Sequence, residues 1–191
     1  MPASLHQGEI AMAISLRRRL PNGETRPWTL KEVVQGKPLG HPSHPMFVHF
    51  PVAFYVATLG LDILSKVGEF PAAPVATTWL LLGAFAASLA AVGTGLVDRS
   101  TTRPRSKVRT KVNQHMYLQL ATAVLFVVNF AIRWPDRHLA EAEPLWIVLD
   151  VIGVATLLVG QYLGGLLVYS IGMRVGESET ALSAPDEGPD R

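Results

Sequence analysis

The sequence predicts an all-α integral membrane protein folded as an up-down-up-down four-helix bundle, and three observations predict it. Hydrophobic residues make up 49% of the 191-residue chain and charged residues only 17%, whereas a typical soluble domain has about 25% charged residues. Four apolar segments are each long enough to cross the hydrocarbon core of a bilayer, which takes roughly 20 helical residues. The connections between these segments are short, which favours antiparallel neighbours.

The apolar segments divide the chain into a membrane domain and two tails. Residues 1–37 are predicted to form a cytoplasmic N-terminal tail, and residues 38–173 the four-span transmembrane domain. Residues 174–191 form a C-terminal tail that is acidic and rich in Pro, Gly and Ser, a composition typical of disordered segments. The predicted spans are residues 46–67, 75–97, 112–132 and 145–171.

The distribution of positive charge predicts the orientation of the spans. Lys and Arg are concentrated in the two tails and in the loop between spans two and three, whereas the opposite side holds only Lys66, Arg133 and Arg137. By the positive-inside rule, both termini are therefore cytoplasmic. No nucleic-acid recognition motif accompanies the basic loop, and its charge is explained by topology and by attraction to anionic lipid headgroups. We therefore expect the lipid bilayer, and no nucleic acid, as a partner.

The absence of cysteine excludes several chemistries. Disulfides, thiolate-held iron–sulfur clusters, covalent c-type haem and a cysteine nucleophile all require a residue that this chain lacks. The sequence also contains no phosphate-binding loop, no nucleophile triad and no internal repeat beyond a histidine in the first turn of spans one and three. No catalytic residue is predicted. If the protein is redox-active, we expect an electron-transfer subunit rather than a stand-alone catalyst.

The stretch "GHPSHPMFVHFP" (residues 40–51) places three of the six histidines at the entrance of span one. His49 lies in the first turn of that span, and His115 lies in the first turn of span three, at nearly the same depth. One imidazole from each of two diagonal helices is the ligand arrangement of b-type haem. His44 precedes the helix and could replace one ligand or meet a haem propionate. Histidines at helix ends also cap helices or face headgroup water, so this alternative stays open.

Three further residues near the same depth suit a haem site. Asp98, at the end of span two, could accept a proton from the outer nitrogen of a ligating histidine, as second-shell carboxylates do. Arg99 and Arg103 would suit the propionates through charge-assisted hydrogen bonds. We therefore predict His49 and His115 as metal ligands, with His44, Asp98, Arg99 and Arg103 as the residues around the cofactor.

Two carboxylates lie inside the predicted spans at the opposite end. Asp62 is near the end of span one and Asp150 is near the start of span four, at similar depth. Ionisable residues in a span are costly and are functional candidates by default. Lys66 follows Asp62 by one helical turn and could pair with it. The two aspartates either tie helices together, or reach interfacial water, or form a proton or cation site.

The histidine–proline motif resembles the signature of a known family. "GKPLGHPSHPMFVHFPVAF" is similar to the motif of the bacterial membrane-protein family catalogued as domain of unknown function 2231, and "GTGLVD" and "LGGLLVYSIGMRVG" extend the resemblance over residues 36–176. The resemblance implies a four-helix membrane fold similar to that of the b-type cytochromes and a location in the bacterial inner (plasma) membrane. It also implies that His49 and His115 are the residues that would ligate haem.

Two hypotheses of function follow. The first is a cytochrome-like subunit that holds haem b between spans one and three and exchanges electrons with a redox partner protein or a quinone. The second is a haem-free membrane scaffold, or a carrier of protons or a small solute that uses Asp62 and Asp150. A coloured protein would favour the first hypothesis, and a colourless one the second.

Overall fold

Four long helices dominate the fold in the computed structural model, which describes residues 17–19, 23–68 and 70–175. Each is long and apolar enough to cross a membrane, with a mean hydropathy of 1.6 to 2.0 over its most apolar part. They pack together, which confirms the prediction of an all-α membrane fold, whereas the up-down order of the spans stays a prediction. The helices are α2 (Ser43–Val67), α3 (Ala73–Arg99), α4 (Lys107–Arg133) and α5 (Pro144–Tyr169).

The helices do not end where the apolar segments end. Helix α4 begins at Lys107, ahead of the predicted span at residue 112, because the Ser106 hydroxyl accepts a hydrogen bond from the Arg109 amide at 3.1 Å. Such a cap satisfies an amide that the helix cannot satisfy internally. Hydropathy marks the part of a helix that lies in hydrocarbon, whereas capping residues mark its end.

A short segment precedes the bundle. Strands β1 (Arg17–Arg19) and β2 (Thr25–Pro27) pair antiparallel and are followed by helix α1 (Leu30–Val34) and a 3₁₀ turn. The Thr29 hydroxyl and the Glu32 carboxylate form a capping box at the start of α1. Of the predicted tails, residues 1–16, 20–22 and 176–191 lie outside the described residues, including most of the C-terminal tail predicted to be disordered.

The N-terminal segment is bound to the bundle where α2 begins. The Ser43 hydroxyl donates a hydrogen bond to the carbonyl of Val34, and the Arg174 guanidinium donates one to the carbonyl of Gln35 at 2.8 Å. Gly36 makes the turn between them with a φ of 77°, and a Cβ at this position would meet the carbonyl oxygen of His41 at 2.0 Å. Glycine is therefore required at this turn.

The long helices associate as two pairs. Helix α2 packs chiefly against α3, and α4 packs chiefly against α5. The pairs meet through Tyr55 of α2 and Phe126 of α4, whose rings stack with centroids 4.1 Å apart and planes inclined by 13°. Gly153 of α5 allows Phe126 to approach, since a Cβ there would lie 2.7 Å from the ring. The core around these two rings separates a polar site at each end.

Candidate functional site

The first polar site is the histidine pair, which consists of His44 of α2 and His115 of α4. The two imidazole rings lie edge to face, with centroids 6.4 Å apart and planes inclined by 86°. Each comes from near the start of a predicted span, and each is partly buried. The structure thus brings together two of the six histidines of the chain.

Both rings are held in the same way by the helix that follows. His44 Nδ1 donates to the carbonyl of Ala91 at 2.9 Å, and His115 Nδ1 donates to the carbonyl of Gly160 at 2.8 Å. These hydrogen bonds place the proton of each neutral imidazole on Nδ1 and leave Nε2 with its lone pair. The tautomer that results is the one in which Nε2 can bind a metal.

Two glycines make room for the rings. A Cβ at Gly95 would lie 2.9 Å from Cε1 of His44, and a Cβ at Gly164 would lie 3.0 Å from Cε1 of His115. Each glycine stands one turn after the residue whose carbonyl binds the ring. Small residues at this spacing therefore seat the imidazoles, in addition to allowing close approach of helices.

The donor set of the histidine pair suits a particular class of cofactor. Protein sites for zinc are built from three or four side-chain ligands, and the described part of the chain contains no group of three or more His, Cys, Asp or Glu arranged to hold a metal ion. Two imidazoles suffice when a macrocycle supplies the other donors. The residues therefore fit a haem.

The other residues predicted around the cofactor lie elsewhere. His49 is exposed on the outer surface of α2, so the neighbour of His115 is His44 rather than His49. Asp98 is buried, with its carboxylate 3.4 Å from the Arg174 guanidinium. Arg99 donates from Nε to the side chain of Asn113 at 2.8 Å. Arg103 lies exposed in the loop after α3. Their roles as ligand and cofactor contacts stay predictions.

The second polar site is the arginine cluster at the other end of the bundle, which comprises Asp62, Thr77, Asn129, Arg133 and Asp150. All five side chains are completely buried. The Arg133 guanidinium donates to both carboxylate oxygens of Asp62 and donates to Thr77 Oγ1 at 2.5 Å. It also lies 3.5 Å from Oδ2 of Asp150. The cluster therefore joins all four long helices through one cation.

Asn129 completes the cluster. Its amide nitrogen donates to Oδ1 of Asp150 at 2.5 Å and to the carbonyl of Trp146 at 3.0 Å, while its amide oxygen accepts from Arg133 Nε at 3.2 Å. The Trp146 ring lies over the guanidinium, with its centroid 5.0 Å from Cζ, a cation–π contact. The side chain of Asn129 thus fixes Asp150 and Arg133 at the same time.

Arg133 was not predicted as a site residue. It directly follows the third apolar segment, and positive charge at that position favours an exposed loop residue. The expected partner of Asp62 was Lys66, which instead pairs with the partly exposed Glu141 at 2.9 Å. A helical stripe of polar residues along α4, from His115 through Thr122 and Asn129 to Arg133, was the available signal. Such a stripe marks an interior face in a helix surrounded by lipid.

The two helix pairs resemble each other beyond the recurrence of a histidine. Asp62 and Arg133 are 71 residues apart, and the same shift carries His44 onto His115 and Tyr55 onto Phe126. Corresponding positions of α2 and α4 are buried. They are Pro51, Tyr55, Thr58 and Asp62 in α2, and Thr122, Phe126, Asn129 and Arg133 in α4. The bundle therefore has an internal repeat at its interior positions, although surface residues hide it in the sequence.

A comparison with known proteins agrees with this architecture. The family described as "Predicted membrane protein (DUF2231)" matches residues 40–177, which include both polar sites and all four long helices. No curated protein and no solved structure matches the chain. The match extends over well more than half of the sequence, and the chain belongs to the DUF2231 family of predicted membrane proteins.

Proposed function

We propose that this protein is a cytochrome-like membrane subunit that holds haem b through His44 and His115 and transfers electrons. The observation that carries the proposal is the histidine pair, in which two imidazole rings approach to a centroid separation of 6.4 Å. Bound haem would supply one-electron redox chemistry. The protein would supply the two ligands, their orientation and an apolar environment around them.

The surroundings of the two rings support this proposal. A hydrogen bond from Nδ1 to a carbonyl is the usual second-shell contact of a metal-binding histidine, because it fixes the tautomer and makes the ligand nitrogen more basic. Ala91 and Gly160 provide that contact to the two rings at 2.9 and 2.8 Å. Histidines that only cap a helix or reach headgroup water would not need the same contact twice, nor a glycine beside each ring.

The proposed setting is the bacterial inner membrane with both termini in the cytoplasm. The histidine pair lies at the end of the bundle where α2 and α4 begin, which the positive charges assign to the cytoplasmic side. An electron donor or acceptor would therefore approach from the cytoplasm or from the cytoplasmic leaflet. A redox partner protein suits the first route, and a quinone suits the second.

The proposal is tested by the dithionite-reduced minus oxidised visible spectrum of the detergent-purified protein, expressed with ample haem supply. We expect a low-spin b-type difference spectrum that is lost in His44→Ala and in His115→Ala. His49→Ala is the matched control, because this exposed histidine lies on the same helix as His44, and it should retain the spectrum.

Two outcomes would contradict the proposal in different ways. A flat spectrum from a folded, helical protein would remove the haem and leave the scaffold or carrier hypothesis. A spectrum that is lost in His49→Ala and retained in His44→Ala would keep the cytochrome but return the ligand to His49. Circular dichroism of each variant distinguishes loss of ligand from loss of fold.

A further inference from the structure

The arginine cluster contains more negative than positive charge. Two carboxylates, Asp62 and Asp150, share the single guanidinium of Arg133, and all three side chains have no solvent exposure. In the described part of the chain, Arg133 is the one cation within 4.0 Å of either carboxylate. An unpaired ionised carboxylate in such a place is so costly that the group takes up a proton instead. Charge balance therefore requires one proton in the cluster.

The hydrogen bonds identify the carboxylate that holds the proton. Asp62 receives one close N–H donor from Arg133 on Oδ2 and a longer one, at 3.5 Å, on Oδ1, as an ionised carboxylate does. Asp150 receives one donor, from Asn129, on Oδ1. Its Oδ2 is buried, has no hydrogen-bond partner, and only approaches the guanidinium at 3.5 Å. Oδ2 of Asp150 is the oxygen left for a proton.

We propose that Asp150 is protonated at neutral pH, so that the arginine cluster is a buried proton-binding site between the four long helices. Reversible loss of this proton would leave two carboxylates on one guanidinium. The proposal rests on the geometry of the cluster and does not depend on the histidine pair or on haem. It gives the intramembrane aspartates unequal roles: Asp62 holds the cation, and Asp150 exchanges the proton.

The neighbouring groups do not neutralise Asp150 in another way. From α3 the cluster meets the neutral Thr77, and from α5 it meets the neutral ring of Trp146. Two other charged residues at this end of the bundle are Lys66 of α2 and Glu141 of the loop before α5. These two pair with each other at 2.9 Å and are partly exposed. Because they pair with each other, neither supplies a counter-charge to Asp150.

Infrared spectroscopy tests the proposal, because a protonated carboxylic acid has a C=O stretching band that an ionised carboxylate lacks. The detergent-purified full chain is measured at neutral pH in H₂O and in D₂O, where the band of an exchangeable acid shifts to lower frequency. We expect the band in the wild type and its loss in Asp150→Asn. Glu141→Gln, which removes an exposed carboxylate at the same end of the bundle, should leave the band unchanged.

Several results would overturn the proposal. They are the absence of the band in the wild type, and a band that persists in Asp150→Asn. Failure of Asp150→Asn to fold would also count against it, because a neutral isostere should replace a neutral acid with little loss of thermal stability. The visible spectrum of the same samples keeps the two proposals separate. A carboxylic acid band without a haem spectrum would sustain the proton site and remove the cytochrome.

Discussion

The two helix pairs are alike at one end of the bundle and unlike at the other. At the first end, His44 bonds to a carbonyl 47 residues later, and His115 bonds to one 45 residues later. Each ring also packs on a glycine. Equivalent positions of the two pairs thus carry the same residue in the same contacts. The two histidine rings lie edge to face, 6.4 Å apart, in equivalent surroundings.

At the second end, equivalent positions carry complementary residues. Asp62 of α2 corresponds to Arg133 of α4, and the two form an ion pair with each other. One turn earlier on the same helices, the Thr58 hydroxyl donates to the carbonyl of Phe54 in its own helix, whereas Asn129 donates to Trp146 and Asp150 of α5. The histidine pair and the arginine cluster thus use the internal repeat in two different ways. The like residues would provide the shared ligand site proposed above, and the unlike residues form an ion pair that fastens the two helix pairs together.

The largest expected effect comes from breaking the unlike end. Arg133→Gln leaves the buried Asp62 carboxylate without its cation, and removing one partner of a buried ion pair costs about 3–5 kcal/mol. We expect a corresponding fall in the free energy of unfolding, measured by denaturant titration in detergent. Arg137→Gln is the control, because Arg137 is partly exposed and contacts the Trp134 ring from outside the cluster. A cost below about 1 kcal/mol for Arg133→Gln would contradict the fastening role.

The arginine cluster could be predicted only in part from the sequence. The depth of Asp62 and Asp150 could be predicted by counting residues within an apolar segment, and the structure brings both to one guanidinium. Hydropathy did not identify their partner, because Arg133 directly follows an apolar segment and such a residue equally suits an exposed loop. Whether Arg133 is buried or exposed depends on which helices pack against the end of α4, and hydropathy gives no information about that packing.

The histidine pair could also be predicted only in part, for a different reason. The four spans and the proximity of α2 and α4 at this end follow from apolar length and short loops. Apolar length and short loops do not decide whether His44 or His49 faces the interior. The two histidines lie on different faces of α2, and which face is buried depends on where α3 packs. Gly95 and Gly164 are small residues of the kind that lets membrane helices pack closely. Their contact with the imidazoles became visible only when the rings were placed.

The second prediction tests whether Gly95 and Gly164 make equivalent contacts with the two histidine rings. Gly95→Ala and Gly164→Ala place a Cβ 2.9 and 3.0 Å from the Cε1 atoms of His44 and His115, too close for an ordinary contact. Overpacking of this kind costs about 1–3 kcal/mol, and the two substitutions should cost the same within about 0.5 kcal/mol. Gly93→Ala is the matched control on α3, because nothing lies within 4 Å of its added Cβ.

Thermal unfolding in detergent measures these costs, and any haem spectrum reports the displacement of the rings. Gly93→Ala should be neutral or slightly stabilising, because alanine has the higher helix propensity. If Gly95→Ala and Gly164→Ala behave like Gly93→Ala, the imidazoles are not seated on the glycines. If only one of the two is destabilising, the helix pairs are less alike than their hydrogen bonds indicate.

The smallest expected effect separates the arginine cluster from the charges beside it. Lys66 and Glu141 are linked at 2.9 Å, as closely as a buried ion pair, but their side chains are 34% and 61% exposed. Exposed pairs contribute about 0–1 kcal/mol because water and salt screen them. We therefore expect Lys66→Ala to lower the free energy of unfolding by less than about 1 kcal/mol, and we expect added salt to reduce even that. If Lys66→Ala instead lowers the free energy of unfolding almost as much as Arg133→Gln, Lys66 also neutralises the carboxyl groups of the arginine cluster. The cluster would then have two cations for two carboxyl groups, and charge balance would no longer require a proton on Asp150.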